Sequence, residues 1–119
     1  MDAFLTKGNM MKSTDLPFVT KRQMLNGRGY DFWSVSSTGN DLRNASLGRE
    51  YCFEYLEFEA ESLRAGNGSI LGLILEDMMS KMDRGAIARN FIYTLVDTFG
   101  WVIQHPAFFD ELHFRRKYY

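Results

Sequence analysis

Residues 42–63 read LRNASLGREYCFEYLEFEAESL, and they decide the fold class. Ala45, Cys52, Tyr55, Leu56, Ala60 and Leu63 recur close to the 3.6-residue period of an α-helix. Gly48 falls on the same side, where a missing side chain lets a second helix approach closely. Just upstream, Thr38, Asn40 and Asp41 carry short oxygen-bearing side chains that accept hydrogen bonds from the unpaired amides of a first helical turn. Just downstream, Ala65-Gly66-Asn67-Gly68 ends the helix, because glycine and asparagine tolerate the left-handed backbone of a helix terminus.

Working outward toward the C-terminus, Ser69 caps a second helix from Ile70 to about Met82. Its broad apolar face comprises Ile70, Leu71, Ile74, Leu75, Met78 and Met82. Asp83-Arg84-Gly85 is a short punctuation. A third helix follows from about Ala86 to Gln104, with Ile87, Phe91, Leu95, Phe99, Val102 and Ile103 directed inward. Pro106 suits the first turn of a short terminal helix carrying Phe108, Phe109, Leu112 and Phe114. Toward the N-terminus the aromatic and β-branched content of residues 30–38 favours an extended segment or hairpin arm, and residues 1–15 read as a mobile arm. The expectation is a mainly α protein, one domain over residues 1–119. It is a small bundle of three long helices plus a short C-terminal helix, with a helical core over 41–119 and an irregular or short β N-terminal region.

Composition narrows the function. A chain of 119 residues holds one core and not two ordinary domains. Fourteen Lys and Arg against fifteen Asp and Glu leave a net charge of -1, without the positive field of an obligate nucleic-acid binder. The single cysteine, Cys52, excludes an intrachain disulfide framework and a multi-thiolate zinc site, and fits a reducing compartment. The longest nearly uncharged run, Asn90 to His105, is broken by Asp97 and is shorter than the roughly 20 apolar residues of a membrane span. Met1 to Met11 shows no signal-peptide core. These features together lead to the expectation of a soluble, cytoplasmic protein with no membrane partner.

Sites of chemistry are few. Glu50, Glu54, Glu57 and Glu61 share one helical stripe. First of all this is the solvated face of an amphipathic helix, and functionally it is an electrostatic face able to imitate phosphate charges toward a nucleic-acid-handling partner. His105, Asp110 and His113 offer three ligand types near the C-terminus, yet no Glu-x-x-His is present and no metal or cofactor is expected. Cys52 sits among Tyr51, Phe53, Tyr55 and Leu56 as a packing residue rather than a nucleophile. Arg84, Arg89 and Asn90 would open a recognition helix, but residues 91–96 are too apolar to face a DNA groove.

The aromatic content is the remaining signal. Ten Phe, six Tyr and two Trp exceed what so small an interior holds, so some stay near the surface. Arg22, Arg28, Tyr30 and Trp33 combine residue types enriched at binding hot spots, and Phe91, Phe99, Trp101, Phe108 and Phe109 fit a homodimer seam. The sequence therefore leads to a small non-catalytic protein-interaction module, with Arg22, Arg28, Tyr30 and Trp33 as contact anchors and Glu50, Glu54, Glu57 and Glu61 as its charged face. A phage or mobile-element inhibitor of the anti-CRISPR type suits this size and lack of catalytic motifs. The alternative is a small nucleic-acid-binding or transcriptional regulator using Arg84, Arg89 and the basic tail.

Overall fold

The computed structural model describes residues 11–22 and 29–118. A single 3-10 turn, Ser13–Asp15, leads into a two-stranded antiparallel ribbon of β1 (Thr20–Lys21) and β2 (Tyr30–Asp31), with Thr20 opposite Asp31 and Lys21 opposite Tyr30. Four helices follow: α1 (Asp41–Arg64), α2 (Leu71–Ser80), α3 (Ala86–Ile103) and α4 (Pro106–Tyr118). The protein is mainly helical, with the short sheet near its N-terminus. Among the described residues no helix is long and apolar enough to cross a membrane. Of the expected arm over residues 1–15, residues 1–10 lie outside the described part.

Local chemistry explains the boundaries. The Asn40 side chain accepts a hydrogen bond from the Arg43 amide at 2.9 Å, capping α1. At the other end Gly66, at φ +89°, donates to Leu63 O at 3.0 Å and Asn67 donates to Ser62 O at 3.0 Å, the paired bonds of a Schellman termination. The end of α2 repeats this pattern without glycine. Met82, at φ +52°, donates to Met79 O at 2.9 Å, and Asp83 donates to Met78 O at 3.2 Å. The left-handed backbone turns the Met82 side chain out to solvent, which corrects the expectation that it faces the core.

Packing is organised by α1 and α3. Gly48 is buried against Ile87, Asn90 and Phe91, so the two helices meet backbone to backbone at that point. Farther along, Tyr55 and Leu56 face Leu95 to Val102, so both helices run in the same direction, with α2 as the return. The core is aromatic. The Phe91 ring lies 5.0 Å from Trp33, 5.7 Å from Phe18 and 5.9 Å from Tyr55. Phe18 also lies 5.3 Å from Trp33 and 5.4 Å from Tyr51. Leu16, Phe18, Val19, Phe32 and Trp33 are all buried, so the N-terminal segment is a structural layer over the helices.

That layer is fastened to α2 by a polar pin. The buried Asp77 carboxylate accepts from the Phe32 amide at 2.8 Å and lies 3.7 Å from the Arg22 guanidinium. Lys81 bonds both Asp31 and the Trp33 carbonyl oxygen. The Trp33 indole N–H donates to Asp83 at 2.8 Å. The buried Phe32 amide and the Trp33 indole N–H thus each have an acceptor, avoiding a penalty of about 1–3 kcal/mol per unsatisfied group.

Several residues expected inward lie outside. Ala60 and Leu63 of α1, and Phe99, Val102 and Ile103 of α3, are exposed, and α4 buries none of its residues. Phe99 and Val102 border a groove walled by α1 and the start of α2, which stand beside them without covering them. A radius of gyration of 16.3 Å, against roughly 13–14 Å for a compact chain of this length, marks an extended molecule.

Candidate functional site

Of the expected contact anchors, Trp33 is corrected by the structure. It is fully buried, stacked against Phe18 and Phe91, with its one polar atom bonded to Asp83. Arg22 is turned inward to Asp31 at 3.5 Å and to Asp77. Tyr30 is on the surface with its ring 6.4 Å from Phe32. Arg28 lies outside the described residues. The first three therefore do not form one contact surface: two of them belong to the attachment of the N-terminal layer.

The acidic stripe is on the outer side of α1 as its spacing implies. Glu50 and Glu57 are exposed, and Glu54 and Glu61 are half-buried. Partial burial, with repulsion from Glu50 and Glu57, raises the Glu54 carboxyl above its ordinary value. Glu59, in the same acidic run, has a different role. It is buried, accepts from the Ser69 hydroxyl and lies 3.3 Å from the Ile70 amide, while Ser69 Oγ accepts from the Leu71 amide at 3.0 Å. A carboxylate at this point satisfies the open amides that begin α2.

The other chemical candidates are not assembled. Among the described residues no three His, Cys, Asp or Glu side chains are grouped to hold a metal ion. His105 Nδ1 accepts from the Ala107 amide at 3.1 Å, and His113 stands edge-on to Phe109 at 4.6 Å. Cys52 is buried, and the loss of solvent pushes its thiol up to about 11. Arg89 donates back to the Arg84 carbonyl oxygen at 2.9 Å, tying the first turn of α3 to the residue before its cap.

What the structure does assemble is an apolar groove of about 420 Å³ between α1, the start of α2 and the distal half of α3. Tyr55, Leu56, Leu71, Leu95, Phe99 and Val102 form most of its wall, and none of its lining residues is charged. It is continuous with the core, against which Leu56, Leu71 and Leu95 pack. Val96 is 60% and Phe99 59% exposed at its rim. Immediately beyond, α4 presents Phe109 and Leu112, 57% and 48% exposed. On the other side of α3 a smaller cleft of about 250 Å³ lies among Arg49, Phe53, Thr94, Asp97, Thr98 and Trp101, with the Arg49 guanidinium 5.5 Å from the Phe53 ring centre.

The aromatic excess of the sequence signalled this surface without locating it. Phe99 has the spacing of a core residue, and only the structure shows it open at the groove rim. Comparison with protein-family models, with curated proteins and with solved structures finds no match to this chain.

Proposed function

We propose that this chain is a small non-catalytic protein-interaction module that acts by occupying a partner's surface through the distal ends of α3 and α4. The observation that carries the reading is the uncharged groove, followed along the chain by an α4 that buries nothing. Large contiguous apolar surface is costly in water, and in monomeric proteins it marks association sites. Aromatic residues at such a surface supply contact area at low conformational cost. The stripe of Glu50, Glu54, Glu57 and Glu61 is a second, charged face suited to a basic partner such as a nucleic-acid-handling complex. An inhibitor from a phage or other mobile element is the narrower form of the same reading, supported by small size and the lack of a catalytic motif.

The test is affinity capture from the native host with the intact chain and with Phe99→Asp, the captured protein being identified and the complex rebuilt from purified components. A stoichiometric complex lost with Phe99→Asp, while the variant keeps the helical signal and unfolding midpoint of the parent, supports the apolar surface. A complex indifferent to Phe99→Asp and lost on charge reversal of the four glutamates moves the contact to α1. Recovery of nucleic acid alone overturns the reading.

A further inference from the structure

We propose that the smaller cleft between α1 and α3 binds a free α-amino acid with an aromatic side chain, its ammonium held by Asp97 and its carboxylate by Arg49. The cleft shares only Thr98 with the apolar groove, so the site stands apart from the association reading. Its floor is the first observation. Gly48 brings the two helices together at Ile87 and Phe91, and one turn farther along α3 a space of about 250 Å³ opens between them. Thr94 is the one buried residue of its lining, 7% exposed. Thr98 turns its hydroxyl back to the Thr94 carbonyl oxygen at 2.9 Å, the usual bond of a threonine within a helix. The Thr94 hydroxyl makes no such bond and has no partner among the described residues. A buried hydroxyl left unpaired is costly, and the cleft is the side from which a partner reaches it.

The second is charge. Arg49 and Asp97 line the same cleft, yet among the described residues neither forms an ion pair, with the other or with any third group. The Arg49 guanidinium rests over Phe53 and keeps its N–H donors open. No other charge lines the cleft: Glu50 and Glu54 follow Arg49 and Phe53 along α1 but belong to its outer stripe. A simple anion would therefore meet Asp97, and a simple cation would meet Arg49. An occupant that answers both carries both signs, a carboxylate for the guanidinium fork and an ammonium for the aspartate. The Thr94 hydroxyl can donate to the first or accept from the second. The third observation is the wall. Trp101, 76% exposed, and the exposed Phe53 border the space, and an open ring takes another at about 4.5–7 Å between centres. The volume lies below the roughly 300–1,000 Å³ of pockets for drug-sized ligands, which suits a single amino acid.

The test is calorimetric titration of the full chain with L-phenylalanine, followed in parallel by the emission of Trp101, since Trp33 is buried. The expected result is saturable binding with Kd below about 1 mM. N-acetyl-L-phenylalanine, which lacks the ammonium, and L-phenylalaninamide, which lacks the carboxylate, each bind at least about tenfold more weakly, and L-alanine, without the ring, is weaker as well. The variants match the blocked compounds. Asp97→Asn costs phenylalanine the same factor and leaves the N-acetyl compound unchanged, while Arg49→Gln does so with the amide unchanged. Both positions are exposed, so the fold is retained. Thr94→Val weakens binding by roughly two- to tenfold without lowering the unfolding midpoint. No saturation at about tenfold above the expected Kd overturns the proposal. So does equal binding of the blocked compounds, tighter binding of one of them, which marks a site for a single charge, or binding indifferent to Arg49→Gln, Asp97→Asn or Thr94→Val.

Discussion

A Cβ placed on Gly48 would stand 2.4 Å from the carbonyl oxygen of Ile87 and 2.9 Å from Asn90 Cβ. Both are part of α3 at its closest approach to α1, so neither moves without separating the helices. Gly48→Ala gains the better helix propensity of alanine, about 0.5–1 kcal/mol, and loses more by overpacking, typically about 1–3 kcal/mol. The expected outcome is a net drop in stability, read as a lower denaturant midpoint at unchanged slope. An unchanged midpoint would mean that α1 and α3 are not in backbone contact there.

Met82 should respond in the opposite sense. A non-glycine residue in the left-handed region costs roughly 1–2 kcal/mol, and the side chain of Met82 is exposed, so little packing is lost with it. Met82→Gly should raise stability by a few tenths to about 1 kcal/mol, the larger unfolded-state freedom of glycine offsetting part of the gain. Thermal unfolding of the two proteins decides it.

Two neighbouring glutamates should differ sharply. Glu59→Ala removes the buried acceptor of Ser69 and Ile70 and should cost about 1–3 kcal/mol, with Glu59→Gln recovering part of it. Glu57→Ala, on the exposed stripe, should stay within about 0.5 kcal/mol of the parent. Equal effects would remove the assignment of Glu59 to the start of α2.

Acid titration should separate Asp31 from Glu54. Burial alone would raise the Asp31 carboxyl, but the Lys81 hydrogen bond, the Trp33 amide and the charges of Lys81 and Arg22 outweigh it and hold the group below its ordinary 3.8. Its contribution is present above 3.8 and lost as pH falls through the lower folded value. Glu54 is raised above its ordinary 4.5 by burial and by Glu50 and Glu57, so its contribution is full below 4.5 and lost as pH rises through the raised value. Asp31→Asn should therefore weaken the fold at neutral pH and cease to matter in strong acid, whereas Glu54→Gln should strengthen it at neutral pH and lose that advantage below 4.5. Stability curves across pH for both variants give the signs directly.

Cys52 offers a kinetic readout. Fully buried and with its thiol pushed up to about 11, it should not react with a thiol reagent in the folded protein at neutral pH and should react at once in denaturant. Prompt modification of the native protein would mean that the α1 core opens locally.

Much of the helical architecture was legible because its signals are local. Asn40 caps α1 through its own side chain, Gly66 ends it through its own backbone freedom, and Gly48 shows its role by having no side chain on a periodic face. The N-terminal layer was less legible. Leu16, Phe18 and Val19 form no helical period, and their burial depends on α1 and α3 bringing Tyr51 and Phe91 to meet them. Trp33 reads as a contact residue beside Arg22 and Tyr30, and becomes a core residue because Asp83, fifty positions away, receives its indole N–H.

The sequence by itself determined which segments are helices and where they start and stop, since propensity, capping and glycine backbone act within a few residues. The tertiary structure alone decided which apolar faces are covered. Phe91 and Phe99 lie two turns apart on α3 with the same spacing, and one is buried while the other is open, because burial depends on whether another element reaches that far. Phe18, Trp33 and Tyr55 close over Phe91, whereas Phe99 stands at the rim of a groove whose wall includes Leu71 at the start of α2, and that groove is the surface on which the proposed association rests.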